Sequence, residues 1–131
     1  MAKRILLVEN EKNLARFVSL ELQKESFLVD LAETGQEGLA LAKDVDYDLL
    51  LLNYDLQDMT ASDFAQQLSL IKPASVIIVL ASREEIAEQQ EAIQHFAVSY
   101  VVKPFIISDL VERVSIIFRG RDSVSYTHLR A

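Results

Sequence analysis

The sequence of 131 residues contains no cysteine and only two histidines, His95 and His128. The absence of cysteine excludes a disulfide scaffold, thiol catalysis and a cysteine-ligated zinc site, and two histidines are too few for an imidazole cluster. Glycine and proline are also scarce, with 3 and 2 residues, which excludes a fibrous repeat. Because 50% of the residues are hydrophobic, the composition instead predicts one compact globular domain.

Basic residues are outnumbered by acidic ones, with Lys+Arg 13 against Asp+Glu 20 and a formal net charge of -7. This balance disfavours direct binding to nucleic acid or to an anionic membrane, so any action on DNA requires a further domain. Apolar runs such as residues 76–81 are far shorter than a bilayer span, and the amino terminus lacks the pattern of a signal peptide. We therefore expect a cytoplasmic protein without membrane contact.

Apolar runs alternate along the chain with segments that have helical periodicity, and the runs occupy residues 5–8, 27–31, 49–52, 76–80 and 100–102. This alternation is typical of parallel strands joined by helical crossovers. The first, third and fourth runs are continuously apolar and predict central strands, whereas Asp30 indicates a more exposed second strand. The simplest right-handed arrangement is a flavodoxin-like α/β fold of three layers, (βα)5, with strand order 2-1-3-4-5.

The segments between the runs carry helix signals. The first helix is predicted over residues 11–24, with Asn10 as its N-cap and an apolar stripe of Leu14, Phe17, Val18 and Leu22. Capping-box patterns at Thr34 and Ser82 open the second and fourth helices; Phe64, Leu68 and Ile71 mark the third, and the fifth begins at Ser108. The fourth has few apolar anchors and should be the least firmly held. Residues 1–119 form the predicted domain, and residues 120–131 a linker or non-native tail.

Ligands of such sheets bind beyond the carboxyl ends of the strands, where this sequence places Glu9, Asn10, Asn53, Ala81 and Lys103. Residues 4–11, 47–53 and 100–105 are similar to three separate motifs of one family, in the same order and spacing. Three matches together are far more specific than one. Over residues 3–119 the chain resembles the receiver domain of two-component response regulators, of the CheY-like superfamily.

The resemblance implies a role for each of these positions. In the family, an acidic pair at positions 9 and 10 and an aspartate at position 53 bind a divalent cation, and that aspartate accepts a phosphoryl group from a histidine kinase. A hydroxyl at position 81 and a lysine at position 103 contact the phosphate. In this chain only Glu9 and Lys103 match, since Asn10, Asn53 and Ala81 replace the others.

These departures change the chemistry, because an aspartyl phosphate needs a carboxylate nucleophile and Mg²⁺ prefers several anionic oxygens. We therefore expect an atypical pseudo-receiver that is not an enzyme, has no catalytic or metal-binding residues and no cofactor, and binds Mg²⁺ weakly or not at all. Lys103 is expected to pair with Glu9, and the resemblance implies a cis Lys103–Pro104 bond. Asp55 and Asp58 are possible substitute acceptors, although loop carboxylates are usually solvated turn residues.

A second surface resembles the dimer face of the OmpR/PhoB-like winged-helix class, formed there by helix 4, strand 5 and helix 5. The resemblance implies a homodimer with charged residues at Asp109, Glu112 and Arg113, and Tyr100 matches the aromatic residue that turns inward on activation. Apolar contacts at Ile86, Val98 and Ile116 would support the dimer. A solvated helix face, whose charges contribute little, is the alternative.

The leading hypothesis is a phosphorylation-independent receiver domain that controls a transcription regulator through dimerisation or protein docking, with DNA bound only by a carboxyl-terminal domain outside this chain. A stand-alone signalling adaptor that binds a protein or a small ligand is the alternative. A typical receiver silenced by engineered Asp-to-Asn changes is also consistent with Asn10 and Asn53. An enzymatic function is disfavoured, since the chain has no Gly-rich phosphate loop and no Ser/His/Asp set.

Overall fold

The computed structural model describes residues 2–122, with side chains described for residues 2–120. Its five strands and five helices alternate along this part of the chain. The strands are β1 (Arg4–Val8), β2 (Leu28–Ala32), β3 (Leu49–Asn53), β4 (Ile77–Ser82) and β5 (Ser99–Lys103). The helices are α1 (Lys12–Lys24), α2 (Gly35–Asp44), α3 (Ala61–Ser69), α4 (Arg83–Phe96) and α5 (Ile107–Asp122).

All strand pairs are parallel, and the strands lie in the order β2-β1-β3-β4-β5, which confirms the predicted flavodoxin-like topology. Side chains of β1 and β3 alternate between the two faces of the sheet. Leu6 and Leu50 belong to the core with α2, α3 and α4, whereas Ile5 and Leu49 belong to the core with α1 and α5. Burial on both faces explains the continuously apolar central strands.

Helix α1 differs from the prediction at its start and on one face. It begins at Lys12 with Glu11 as N-cap, and no side chain makes a capping hydrogen bond there, so Asn10 is not the cap. The side chain of Asn10 accepts a hydrogen bond from Asn53 instead. Phe17 is exposed, because the buried face of the helix runs through Ala15, Val18, Ser19 and Leu22.

The remaining helix ends follow the sequence signals in part. The Ser82 capping box is confirmed, since Ser82 and Glu85 exchange both hydrogen bonds. Thr34 accepts from the Glu37 N–H without the return bond from the Glu37 side chain. Helix α3 ends at Ser69, so Ile71 lies beyond it and is exposed.

The predicted linker or tail at residues 120–131 lies mostly outside the described residues. Helix α5 extends to Asp122, three residues past the expected end of the domain. Across the part of the chain that the structure describes, no helix combines the length and apolar character needed to cross a membrane.

Substitution by alanine should have opposite effects on stability at two helical glycines, because Gly38 in α2 is closely packed and Gly120 in α5 is not. A Cβ at the buried Gly38 would lie 2.8 Å from Val8 Cγ2 and 3.0 Å from Phe64 Cε2, whereas a Cβ at Gly120 in α5 meets nothing within 4 Å. We expect Gly38→Ala to lower the free energy of unfolding by about 1–3 kcal/mol through overpacking. Gly120→Ala should leave it unchanged or raise it by up to about 1 kcal/mol, since alanine favours the helix. Chemical denaturation of both variants measures the difference, and equal stabilities would contradict this packing of α2.

Candidate functional site

Three parallel strands bring polar side chains to one edge of the sheet. Glu9 and Asn10 follow β1, Asn53 ends β3, and Lys103 ends β5. The registers of β4 with its neighbours place Leu80 beside Asn53 and Ser82 beside Lys103, so these strand ends lie at the same level. The crevice at the carboxyl edge, defined by residues 9, 10, 53, 81 and 103, is therefore formed by residues distant in sequence.

Lys103 and Asn53 are the centres of the hydrogen-bond network in this crevice. Lys103 Nζ lies 2.7 Å from Glu9 Oε1 and 2.9 Å from Asn53 Oδ1. Asn53 Nδ2 donates to Asn10 Oδ1 at 2.7 Å and to the backbone carbonyl of Asp55 at 2.8 Å. Both hydrogens of the Asn53 amide nitrogen are thus used, and its carbonyl oxygen is occupied by an ammonium.

The predicted ion pair between Glu9 and Lys103 is confirmed, and it is largely removed from solvent. The Glu9 side chain is 1% exposed and that of Lys103 is 22% exposed. The second carboxylate oxygen of Glu9 accepts a hydrogen bond of 3.0 Å from the backbone N–H of Glu11, next to the start of α1. Glu9 therefore has a partner for each oxygen, as a buried carboxylate requires. The Lys103–Pro104 bond is cis.

The donor set of the crevice does not fit a divalent cation. Asn10 Oδ1 and the Asp55 carbonyl both point at the Asn53 amide nitrogen, and Glu9 Oε1 and Asn53 Oδ1 both point at the Lys103 ammonium. The Asn53 amide nitrogen and the Lys103 ammonium thus occupy the two positions at which oxygen atoms converge. A divalent cation would have to displace these nitrogen groups and would be repelled by the positive charge of Lys103. Within residues 2–120 no group of three or more His, Cys, Asp or Glu side chains is placed to hold a metal ion.

No hydroxyl group is free at the end of β4. Ala81 is fully buried in the core. The neighbouring Ser82 Oγ accepts the N–H of Glu85 at 3.0 Å as the N-cap of α4. Because this hydroxyl caps the helix, it does not replace the group that the family carries at position 81.

The loop after β3 contains an anchor that sequence reasoning missed. Asp58 accepts hydrogen bonds of 2.9 Å from the backbone N–H groups of Gly35 and Gln36, at the start of α2. Burial alone would raise the pKa of Asp58, but the hydrogen bonds from these and neighbouring N–H groups outweigh it and lower that pKa. Asp58 is thus a structural residue, and Asp55 Oδ1 accepts from the N–H of Gln57. The only sequence signal was an acidic residue in a loop, which does not identify a partner 23 residues away.

The surface formed by α4, β5 and α5 combines exposed and buried members of the predicted dimer face. Val98, Asp109, Glu112 and Ile116 are exposed. Ile86 is not available to a partner, because it is buried against the sheet in the core with α2 and α3, and including it in the face was wrong.

Two further residues of this surface make contacts within the chain. Arg113 donates to Ser99 Oγ at 2.6 Å and to the Tyr100 carbonyl at 3.4 Å, which ties α5 to β5. Tyr100 is partly buried against the core, and its hydroxyl accepts from Gln90 Nε2 at 3.4 Å. The guanidinium of Arg113 is therefore already used inside the domain, which weakens it as an interchain partner.

Comparison with known proteins identifies the family. The family model for the response regulator receiver domain matches residues 5–115. The chain is 35% identical over 115 residues to response regulator ArlR of Staphylococcus epidermidis, covering 88% of this chain and 52% of the relative. It is 34% identical to the cell cycle response regulator CtrA of Brucella ovis, again over 88% of this chain and 50% of the relative. The chain therefore belongs to the response regulator receiver domain family and spans about half the length of these curated relatives.

Solved structures include more similar chains. One, described as belonging to a novel family of redox sensors in the streptococci evolved from two-component response regulators, has 56% identity and a TM-score of 0.91, over 96% of this chain and 55% of that one. Another is the inactive form of the regulatory domain from the repressor of iron transport regulator (RitR). It has 59% identity and a TM-score of 0.87, over 92% of this chain and 98% of that one.

The burial of Glu9 predicts a large effect of removing its partner. We expect Lys103→Met to lower the free energy of unfolding by about 3 kcal/mol, because the carboxylate of Glu9 is then buried without a counter-charge. The control is Lys12→Met, which breaks a 3.8 Å pair with Glu33 between two mostly exposed side chains and should cost less than about 1 kcal/mol. The double variant Glu9→Gln/Lys103→Met should recover part of the loss. Urea denaturation measures all three, and a Lys103→Met no less stable than Lys12→Met would contradict this account.

Proposed function

We propose that this chain is a phosphorylation-independent receiver domain, a pseudo-receiver that controls a transcription regulator through dimerisation or protein docking and has no catalytic activity of its own. The observation that carries the proposal is the side chain of Asn53. It stands at the phosphoacceptor position implied by the family motif, and all of its hydrogen-bonding atoms have partners.

The crevice lacks both the nucleophile and the cation site that phosphoryl transfer to an aspartate requires. An amide nitrogen is a far weaker nucleophile than a carboxylate oxygen and does not form an acyl phosphate. Phosphoryl transfer also relies on a divalent cation to neutralise developing charge, and the crevice offers one carboxylate already paired with Lys103. The hydroxyl that would contact a bound phosphate is replaced by the methyl group of Ala81.

The similar structures support an atypical mode of regulation. The streptococcal relatives are described as redox sensors that evolved from response regulators, and two of the similar RitR structures are variants in which a cysteine is replaced by aspartate or serine. The 131 residues of the present chain contain no cysteine, which excludes a thiol switch within them. We infer that any redox-responsive group lies outside these 131 residues, and that DNA contact belongs to a further domain of the whole protein.

A cation and a phosphoryl mimic test the proposal directly. We expect millimolar Mg²⁺ to leave the melting temperature unchanged, because a ligand that does not bind the folded state cannot stabilise it. Mg²⁺ followed by beryllofluoride should produce no saturable amide shifts at residues 9, 53, 81 and 103. Saturable shifts at these residues, or a clear rise in melting temperature, would overturn the proposal.

Restoring carboxylates provides the matched comparison. Asn53→Asp alone should not be phosphorylated efficiently by acetyl phosphate, because Asn10 and Ala81 still lack the cation ligand and the hydroxyl. The triple variant Asn10→Asp/Asn53→Asp/Ala81→Thr should be labelled in the presence of Mg²⁺, as observed by intact-mass spectrometry. Ready labelling of the unaltered chain would contradict the proposal, and ready labelling of the single variant would contradict the roles assigned to Asn10 and Ala81.

The surface formed by α4, β5 and α5 is the proposed dimer face. We expect this chain to dimerise reversibly in sedimentation equilibrium, and Ile116→Asp to weaken the dimer about tenfold or more by placing a charge in its apolar part. The control is Leu70→Glu, a charge at a residue that is more exposed than Ile116 and lies after α3. A monomer at every concentration, or equal effects of both substitutions, would refute the interface.

A further inference from the structure

A cavity lies at the amino-terminal edge of the sheet, opposite the crevice. Its volume is about 290 Å³, and it opens between the carboxyl ends of α2 and α3. Its walls are apolar and are formed by Val45, Leu50, Leu68 and Ile71. Lys72 and Asp46 lie on the same cavity and supply its charges.

The rim of the cavity is held by hydrogen bonds within the chain. The N–H groups of Ile71 and Lys72 both donate to the Leu68 carbonyl, at 3.0 and 2.7 Å. Ser75 closes the following loop, since its N–H and hydroxyl both donate to the Lys72 carbonyl, at 3.3 and 2.8 Å. A preformed rim lowers the cost of ordering on binding, as is typical of small-molecule sites.

Tyr47 is a fixed part of the wall. Its hydroxyl donates to Asp30 Oδ2 at 2.6 Å, so the ring lines the cavity while its polar atom is used elsewhere. A phenol is already neutral near pH 7, and burial and the hydrogen bond to Asp30 both raise the pKa of Tyr47 further. Tyr47 thus contributes aromatic surface and no charge to this cavity.

The two charges at the rim differ in their exposure. The side chains of Lys72 and Asp46 form an ion pair in which Lys72 is 30% exposed and Asp46 is 89% exposed. An incoming carboxylate that replaced Asp46 would release it into water at little cost, while the partly buried ammonium kept an anionic partner. An incoming cation would instead pair with Asp46 and leave Lys72 without its carboxylate partner. The carbonyl ends of α2 and α3 oppose an anion, but their effect falls off within a turn and is smaller than that of a contacting ammonium.

We propose that this cavity binds a small carboxylic acid with an aromatic or branched apolar body, whose carboxylate replaces Asp46 as the partner of Lys72. The cavity is close to the lower limit of small-molecule sites, which span roughly 300–1,000 Å³. That size fits a ligand with one ring or a short branched chain. The cavity and Asn53 lie at opposite edges of the sheet. An experiment that rules out binding in the cavity therefore leaves the proposed inertness of the crevice untouched, and the reverse also holds.

Phenylacetate is the probe, and 2-phenylethylamine is a cation of similar shape. In amide NMR titrations of the chain, we expect phenylacetate to give saturable shifts centred on residues 45–47 and 71–75, with a Kd of about 1 mM. The amine should bind at least about tenfold more weakly, since it cannot pair with Lys72. Lys72→Met, which keeps the apolar stem, should weaken phenylacetate about tenfold.

The control for this substitution is Lys24→Met, which removes an ammonium paired with Glu21 at 2.9 Å on the surface of α1. It should leave the affinity for phenylacetate unchanged. Shifts that do not saturate, equal binding of acid and amine, or an affinity indifferent to Lys72→Met would each overturn the proposal. Shifts centred on residues 9, 53 and 103 would also overturn it, because they would place the anion in the crevice.

Discussion

The ammonium of Lys103 is the group on which the carboxyl edge of this domain depends. It binds the side chains of Glu9 and Asn53, which lie 94 and 50 positions away in the sequence. Glu9 is almost completely buried, and a buried carboxylate without a counter-charge is strongly unfavourable. A single side chain thus connects the ends of β1, β3 and β5 and offsets the only carboxylate left at the positions that the family uses for its cation.

The same network gives the oxygen atoms of the crevice partners from within the protein. The Asn53 amide donates two hydrogen bonds and accepts one from Lys103, so the oxygens of Asn10 and Asp55 have protein donors. In a crevice rich in carboxylates, mutual repulsion is relieved by a divalent ion; here neutral amides and an internal ion pair remove that repulsion. We regard this internal compensation as the physical basis of the proposed pseudo-receiver.

The two edges of the sheet differ in how completely they are filled. At the carboxyl edge, side chains of the crevice satisfy one another, and Asp58 ties the loop after β3 to the start of α2. At the amino edge, a cavity with apolar walls remains beside an exposed ion pair. The fold alone does not determine which edge of the sheet carries a functional site, so function has to be inferred from the residues at each edge.

The strands, their order and the ion pair could be predicted from the amino-acid sequence. Long apolar runs bury both faces of central strands, right-handed crossovers restrict the topology, and the family motifs brought Glu9 and Lys103 together. Four features depend on packing between distant segments: the partner of Asn10, the exposure of Phe17, the burial of Ile86 and the anchoring role of Asp58. Periodicity predicts the buried face of a helix only to within a broad sector. It does not show whether a residue at the margin of that sector is buried or exposed. Hydrogen-bond partners depend on which distant groups packing brings within about 3 Å, and no local pattern records that distance.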